Sequence, residues 1–203
     1  MALNPTLPAS ETAKGPGRLT LFFICLTVMA PMIGAYWIYE SGRGIPQSTI
    51  NKGQLIAPAV SIAGLTFFDQ NHTALPWTDA HQWRMVTVSQ GGCDKGCQDN
   101  LYVTHQVHVR LAKEAHRIQR LLLLVSNSPD FTQLPEAALV DSGLTVVSIS
   151  PEAWAAANLQ RSDNASDIVI VDQEGFAMMR YDSRHTGNDL LADLSRLLKY
   201  SYE

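Results

Sequence analysis

The sequence predicts an α/β domain, with a parallel core sheet and a late β-hairpin, carried behind one N-terminal transmembrane helix. Three observations predict it: an uncharged apolar run over Leu19–Tyr39, short apolar strands alternating with helical patterns from Trp83 onward, and a turn-linked strand pair near the C-terminus.

The run LTLFFICLTVMAPMIGAYWIY places no charge in 21 positions. At ~1.5 Å per residue it reaches about 30 Å, the thickness of a bilayer's hydrocarbon core. Only Thr20 and Thr27 interrupt it, and Tyr36, Trp37 and Tyr39 cluster at its end, where amphipathic rings sit at headgroup level. Pro31 is tolerated more readily in a membrane helix than in a soluble one. A cleaved signal would have a shorter apolar core and a small-x-small site, so a retained anchor is expected. Lys14 and Arg18 precede the span, whereas Arg43 follows it beside Glu40. That bias puts a cytoplasmic tail at 1–18, the span at 19–39, a linker at 40–60 and an exported domain at 61–203. The expected setting is the inner membrane, single-pass, with the C-terminal domain periplasmic. About 160 residues remain for that domain, enough for one core. A net charge of -4 and pI near 5.8 argue against a nucleic-acid partner.

Ser41–Asn51 is rich in Gly, Pro and Ser and reads as linker, and 53–68 as an extended lead-in that Pro58 keeps from being helical. Trp83–Ser89 alternates as a strand does and stops at Gln90-Gly91-Gly92. From Cys97, the recurrence of Leu101, Thr104, Val107, Leu111, Ala115 and Ile118 predicts a long helix. Leu121–Val125 and Leu144–Ile149 read as strands buried on both faces, with a short helix over Pro135–Asp141 between them. Ser150-Pro151-Glu152 opens the next helix, with serine capping and proline at the first position. Ile168–Val171 and Phe176–Tyr181 form a hairpin across Asp172-Gln173-Glu174-Gly175. The chain closes on an amphipathic helix striped by Leu190, Leu191, Leu194, Leu197 and Leu198. Strands alternating with helices imply a parallel core covered on both faces, with the hairpin as an antiparallel edge. With a cysteine pair between an early strand and the long helix after it, this is the arrangement of the thioredoxin-like fold.

Three cysteines are present. Cys25 lies in the span and reads as apolar packing. Cys93-Asp94-Lys95-Gly96-Cys97 is the one constellation with chemistry. A thiolate at a helix N-terminus is stabilised by unpaired backbone N–H groups. Lys95 adds a cation that Asp94 partly offsets. A spacing of four brings both sulfurs to one helical face, where they close a disulfide or chelate one soft ion. Structural disulfide, thiol–disulfide exchange site and two-thiolate Cu(I) site are all open on these residues. Exchange sites usually show C-x-x-C, one residue tighter. Zinc would need further ligands at suitable spacing.

A strand, C-x-x-x-C, a long helix, a VS-turn and a late D-x-x-G hairpin in an anchored domain resemble the Sco/SenC family over roughly Ile62–Tyr200. The resemblance implies a thioredoxin-like protein that helps load copper into cytochrome c oxidase, with respiratory oxidase subunits or other assembly factors as partners. It implies Cys93 and Cys97 as the reactive pair and as ligands to Cu(I); from the residues, Cys93, nearest the helix start, is expected to be the exposed nucleophile and Cys97 to resolve or co-ligate. Departures matter. The family's proline after each cysteine is replaced by Asp94 and Gln98, and its third copper ligand, a histidine, falls on Asn164. A neutral amide is a poor Cu(I) ligand, so tight copper binding is not expected. Thioredoxin's proline before the same strand is missing too. A general periplasmic thiol–disulfide oxidoreductase and a non-catalytic assembly subunit with a structural disulfide are the rivals. Elsewhere, His105 and His108 at i, i+3, His185, Met178 and Met179 are minor metal candidates, with core or surface roles expected. Asp167 and Asp172 are expected to serve turns.

Overall fold

Strands whose residues are apolar without interruption must be buried on both faces, and the computed structural model shows how. It describes residues 17–41, 50–75, 82–131, 134–159 and 166–201. Two units divide the chain, Met1–Thr49 and Ile50–Glu203.

In the first, Arg18–Ser41 is one 24-residue helix, α1, with no buried residue. Among the described residues it is the one helix long and apolar enough to cross a membrane. Thr27 donates its hydroxyl to the Phe23 carbonyl at 2.7 Å, so its polar atom is satisfied inside the helix.

The second unit is an eight-stranded sheet with helices on its faces. Its elements are β1 (Gln54–Ser61), β2 (Phe67–Phe68), β3 (Ala74–Leu75), β4 (Trp83–Gln90), α2 (Lys95–Arg110), β5 (Ile118–Val125) and α3 (Glu136–Val140). There follow β6 (Leu144–Ile149), α4 (Pro151–Ala156), β7 (Asp167–Val171), β8 (Phe176–Tyr181) and α5 (Gly187–Tyr200). The strand order is β1-β8-β7-β4-β5-β6-β2-β3. β4, β5 and β6 run parallel, and β7 and β8 antiparallel to their neighbours. Side chains alternate across the sheet with period two. Val86, Val88, Leu121, Leu123, Val169 and Val171 pack with Trp154 of α4. Met85, Ile168 and Ile170 turn the other way, onto α2 and the Leu190–Leu194–Leu198 stripe of α5. The parallel core, both covered faces, the hairpin and the closing helix all match the expectation.

Three features correct it. The helix read as continuing to Ile118 ends at Arg110; Ala112 takes φ 49°, a 3-10 turn occupies Ala112–Arg117, and Ile118 already belongs to β5. Over two turns, spacings of 3.6 and 3.0 look alike in sequence. β5 also starts before the LLLLV run, because Arg120 within it is buried and neutralised by Asp141. Finally, the late hairpin is not an edge: β1 pairs with β8. The sheet therefore takes in Gln54–Val60, which the 40–60 linker had included. β1 hides because most of it is exposed and Pro58 breaks its pattern.

A buried carboxylate fastens β1. Asp193 of α5, 1% exposed, accepts from the Lys52 and Gly53 N–H groups at 2.8 and 2.9 Å and from the Tyr181 hydroxyl at 2.9 Å. Gly53 has no room for a side chain, since a Cβ there would lie 2.5 Å from Tyr181 Cζ.

This region carries pH dependence at both ends. Burial, then the Asp193 carboxylate, push Tyr181 above the ordinary tyrosine value of 10.0. The folded state keeps a proton that the unfolded chain releases, so the stability is full below about pH 10 and falls as pH climbs above it. Asp182, held far below 3.8 chiefly by its hydrogen bonds from Arg184, works oppositely. Its contribution is present above that value and lost as pH falls below it. Tyr181→Phe is expected to flatten the alkaline limb of a urea-midpoint profile, and Asp182→Asn the acid limb. Limbs that keep their slopes would contradict this assignment.

Candidate functional site

β4 delivers the cysteine pair to the end of the sheet. The strand stops because Gly91 adopts φ 90°, a conformation glycine takes without a Cβ penalty. Ser89 Oγ donates to the Gly92 carbonyl at 2.6 Å, and Gly91 N–H donates to the Val125 carbonyl of β5. The turn is thus sewn to both parallel strands before Cys93 is reached.

Asp94 is the N-cap of α2, and its carboxylate accepts from the Cys97 N–H at 2.9 Å. Aspartate is favoured there because its short side chain satisfies an orphan helix donor and opposes the positive dipole end. Cys93 and Cys97 are joined in a disulfide, their Cα atoms 5.1 Å apart. The two sulfurs come together as expected, but not on one helical face, because Cys93 lies before the Asp94 cap and only Cys97 is within α2.

The two sulfurs sit differently. Cys97 is 0% exposed, packed with Leu101, Leu122, Leu124, Leu134 and Ala138. Cys93 is only partly buried at the rim of the same cluster. Cys93 Sγ is therefore the more accessible sulfur and Cys97 Sγ the enclosed one.

Two residues that sequence reasoning did not single out brace the site. Ser166, immediately before β7, donates its hydroxyl to the Val88 carbonyl at 2.9 Å. Asn100 of α2 donates to the Ser166 carbonyl at 3.0 Å. Together they tie the first turns of α2 to β4 and to the residue leading into β7. No local motif marks them, because their partners lie 66 and 78 positions away. Asn164 lies outside the described residues.

The minor candidates fall to other duties. His105 Nδ1 lies 3.3 Å from Asp141 Oδ2, whereas the His108 ring reaches the Ala115 and Ile118 carbonyls at 3.1 and 3.2 Å. They do not converge. His185 Nδ1 sits 2.8 Å from Asp182 Oδ1, which also holds Arg184. Met178 and Met179 both pack into the cluster beneath α5. Asp172 caps the hairpin turn by accepting from the Glu174 and Phe176 N–H groups, as expected. Asp167 differs: it pairs across strands with Arg180, Nε to Oδ2 3.6 Å. Among the described residues, no three His, Cys, Asp or Glu side chains gather as a metal site.

Residues 83–201, which carry the strand, the cysteine pair and everything after it, match the family described as transmembrane-like, thioredoxin-like, C-terminal domain. The chain belongs to that family. No curated protein matches it by sequence. Solved structures of similar fold include the Sco-family protein BsSco, characterised for a disulfide switch, at 12% identity and TM-score 0.55, covering 76% of this chain and 100% of that one. Copper-bound yeast Sco1 is similar at 12% identity and TM-score 0.54, with 76% and 97% covered. Copper-bound ScoI of Arabidopsis thaliana follows at 12% and 0.52, with 73% and 99% covered. Members of the Sco family are thus structural neighbours of this transmembrane-like thioredoxin-like protein, as the resemblance in sequence implied. At this identity the likeness establishes the thioredoxin-like fold.

Proposed function

We propose that this protein is a membrane-anchored, Sco-type factor that assists cytochrome c oxidase assembly by thiol redox chemistry at Cys93 and Cys97. One observation carries the reading: the pair closes at the start of α2 with one sulfur accessible and the other buried. That asymmetry suits ordered exchange. In the reduced protein the Cys93 thiolate attacks a partner's disulfide sulfur, forming a mixed disulfide and releasing one partner thiolate. Cys97 then attacks Cys93 Sγ, which frees the second partner thiolate and restores the Cys93–Cys97 disulfide. The partner's copper-site cysteines leave reduced and ready for metal. BsSco, described by a disulfide switch and as a member of a family of cytochrome c oxidase assembly proteins, supports a redox role for the pair.

The length and composition of α1 support a membrane anchor, and Lys14 and Arg18 before the span support an inner-membrane setting with the domain on the periplasmic side. Confinement beside a membrane-bound oxidase subunit raises the effective concentration of the encounter. Copper is then cargo rather than a resident cofactor. Two thiolates from one helix turn suit Cu(I), and they hold it weakly when no imidazole joins them.

The deciding experiment mixes the reduced full-length protein with an oxidised copper-site domain of an oxidase subunit and, separately, with insulin. Stoichiometric reduction of the copper-site domain with slow insulin turnover is expected. Robust insulin turnover would make the protein a generalist oxidoreductase, and no exchange with either would overturn the redox reading. Anaerobic titration with Cu(I) is expected to give a weak complex that a competing chelator empties. A stable one-to-one complex would contradict the assignment of Asn164.

A further inference from the structure

The loop between the cysteines carries a fixed negative charge. Asp94 follows Cys93 directly, and its carboxylate is pinned by the Cys97 N–H at 2.9 Å rather than free to swing into solvent. Asp94 is exposed, and Gly96 brings no side chain over its carboxylate, where a Cβ would already touch Oδ1 at 3.5 Å. Lys95, the next residue, is exposed and carries its ammonium on a flexible stem. A mobile, solvated ammonium is held less firmly in the loop than a carboxylate fixed by the Cys97 N–H.

Resting on the redox reading above, we infer that Asp94 is a specificity-determining residue: it favours exchange with thiols carried on cationic segments and disfavours anionic thiols. The attacking species is a thiolate, and negative charge spreads over three sulfurs as it adds to Cys93 Sγ. The Cys93–Cys97 bond breaks as the new bond forms. The Cys97 thiolate that leaves takes a proton from solvent. A second thiol then resolves the mixed disulfide, leaving Cys93 reduced and the two small thiols joined as a disulfide. A carboxylate beside this path opposes an anionic reductant and attracts one bearing a positive group, a several-fold effect at low ionic strength. The matching partner presents its cysteine next to lysine or arginine.

The test follows reduction of the oxidised full-length protein, in a non-ionic detergent, by cysteamine (cationic), β-mercaptoethanol (neutral) and glutathione (anionic). Rates are normalised to each reagent's own rate with a small neutral disulfide. The expected order is cysteamine, then β-mercaptoethanol, then glutathione, with the spread shrinking as salt rises. Asp94→Asn keeps a capping side chain and is expected to narrow the cysteamine-to-glutathione ratio about threefold to tenfold. Lys95→Gln is expected to widen it. A ratio unchanged in Asp94→Asn, with the wild-type disulfide still readily reduced, would overturn this inference alone. A disulfide inert to all three reagents in the folded protein would overturn the redox reading and the inference with it.

Discussion

A Cys93→Ser/Cys97→Ser double variant is expected to fold, to lose thiol exchange completely, and to lose support of oxidase assembly. The expectation separates chemistry from stability, because the disulfide closes a short loop of separation 4. In the chain-entropy picture so small a loop contributes only about 2 kcal/mol. A serine hydroxyl in the buried Cys97 site adds roughly 1–3 kcal/mol. A domain stabilised by about 5–15 kcal/mol keeps its fold after such losses. The single variants discriminate further. Cys97→Ser leaves the accessible sulfur and is expected to accumulate a mixed disulfide with its partner, visible as a non-reducing gel band. Cys93→Ser leaves the sulfur that Leu101, Leu122 and Leu134 enclose, and no such band is expected. A folded double variant that still supports full oxidase assembly would leave the disulfide a purely structural role.

Asp193→Ala is expected to be the most destabilising single change in α5, at about 3–5 kcal/mol. The carboxylate accepts from two main-chain N–H groups and one hydroxyl, and truncation orphans all three. Each orphaned buried donor costs roughly 1–3 kcal/mol, with the outermost regaining some hydration. The loss releases the start of β1 and with it the pairing that protects β8. Asp193→Asn, which retains one acceptor oxygen, is expected to lose about half as much. Asp189→Ala serves as the surface comparison: it removes the capping box with Thr186 and costs about 1 kcal/mol. Urea denaturation of the three variants measures the ranking. An Asp193→Ala variant within about 1 kcal/mol of wild type would show that β1 does not depend on this clamp.

The amino-acid sequence determined the long apolar helix α1, because the length and composition that a bilayer crossing demands are both read directly. It likewise determined the alternation of elements from Trp83 onward, since strands buried on two faces must be apolar throughout and α5 must carry a leucine stripe. The cysteine pair was legible as a constellation for the same reason: its spacing and its place before a helical pattern are local facts. Three things were decided by tertiary structure alone. The pairing of β1 with β8 was one, its lead-in held by Asp193, a polar residue 140 positions from Gly53 that reads as surface until its donors are seen. The bracing of the site by Ser166 and Asn100 came from contacts between distant segments with no periodicity to betray them. The enclosure of Cys97 was the third: the place of Cys93 nearest the helix start marks it as the exposed sulfur, but says nothing of what buries its partner. The enclosure arises because α3 and the sheet close over one sulfur and not the other, a fact of packing that spacing along the chain does not encode.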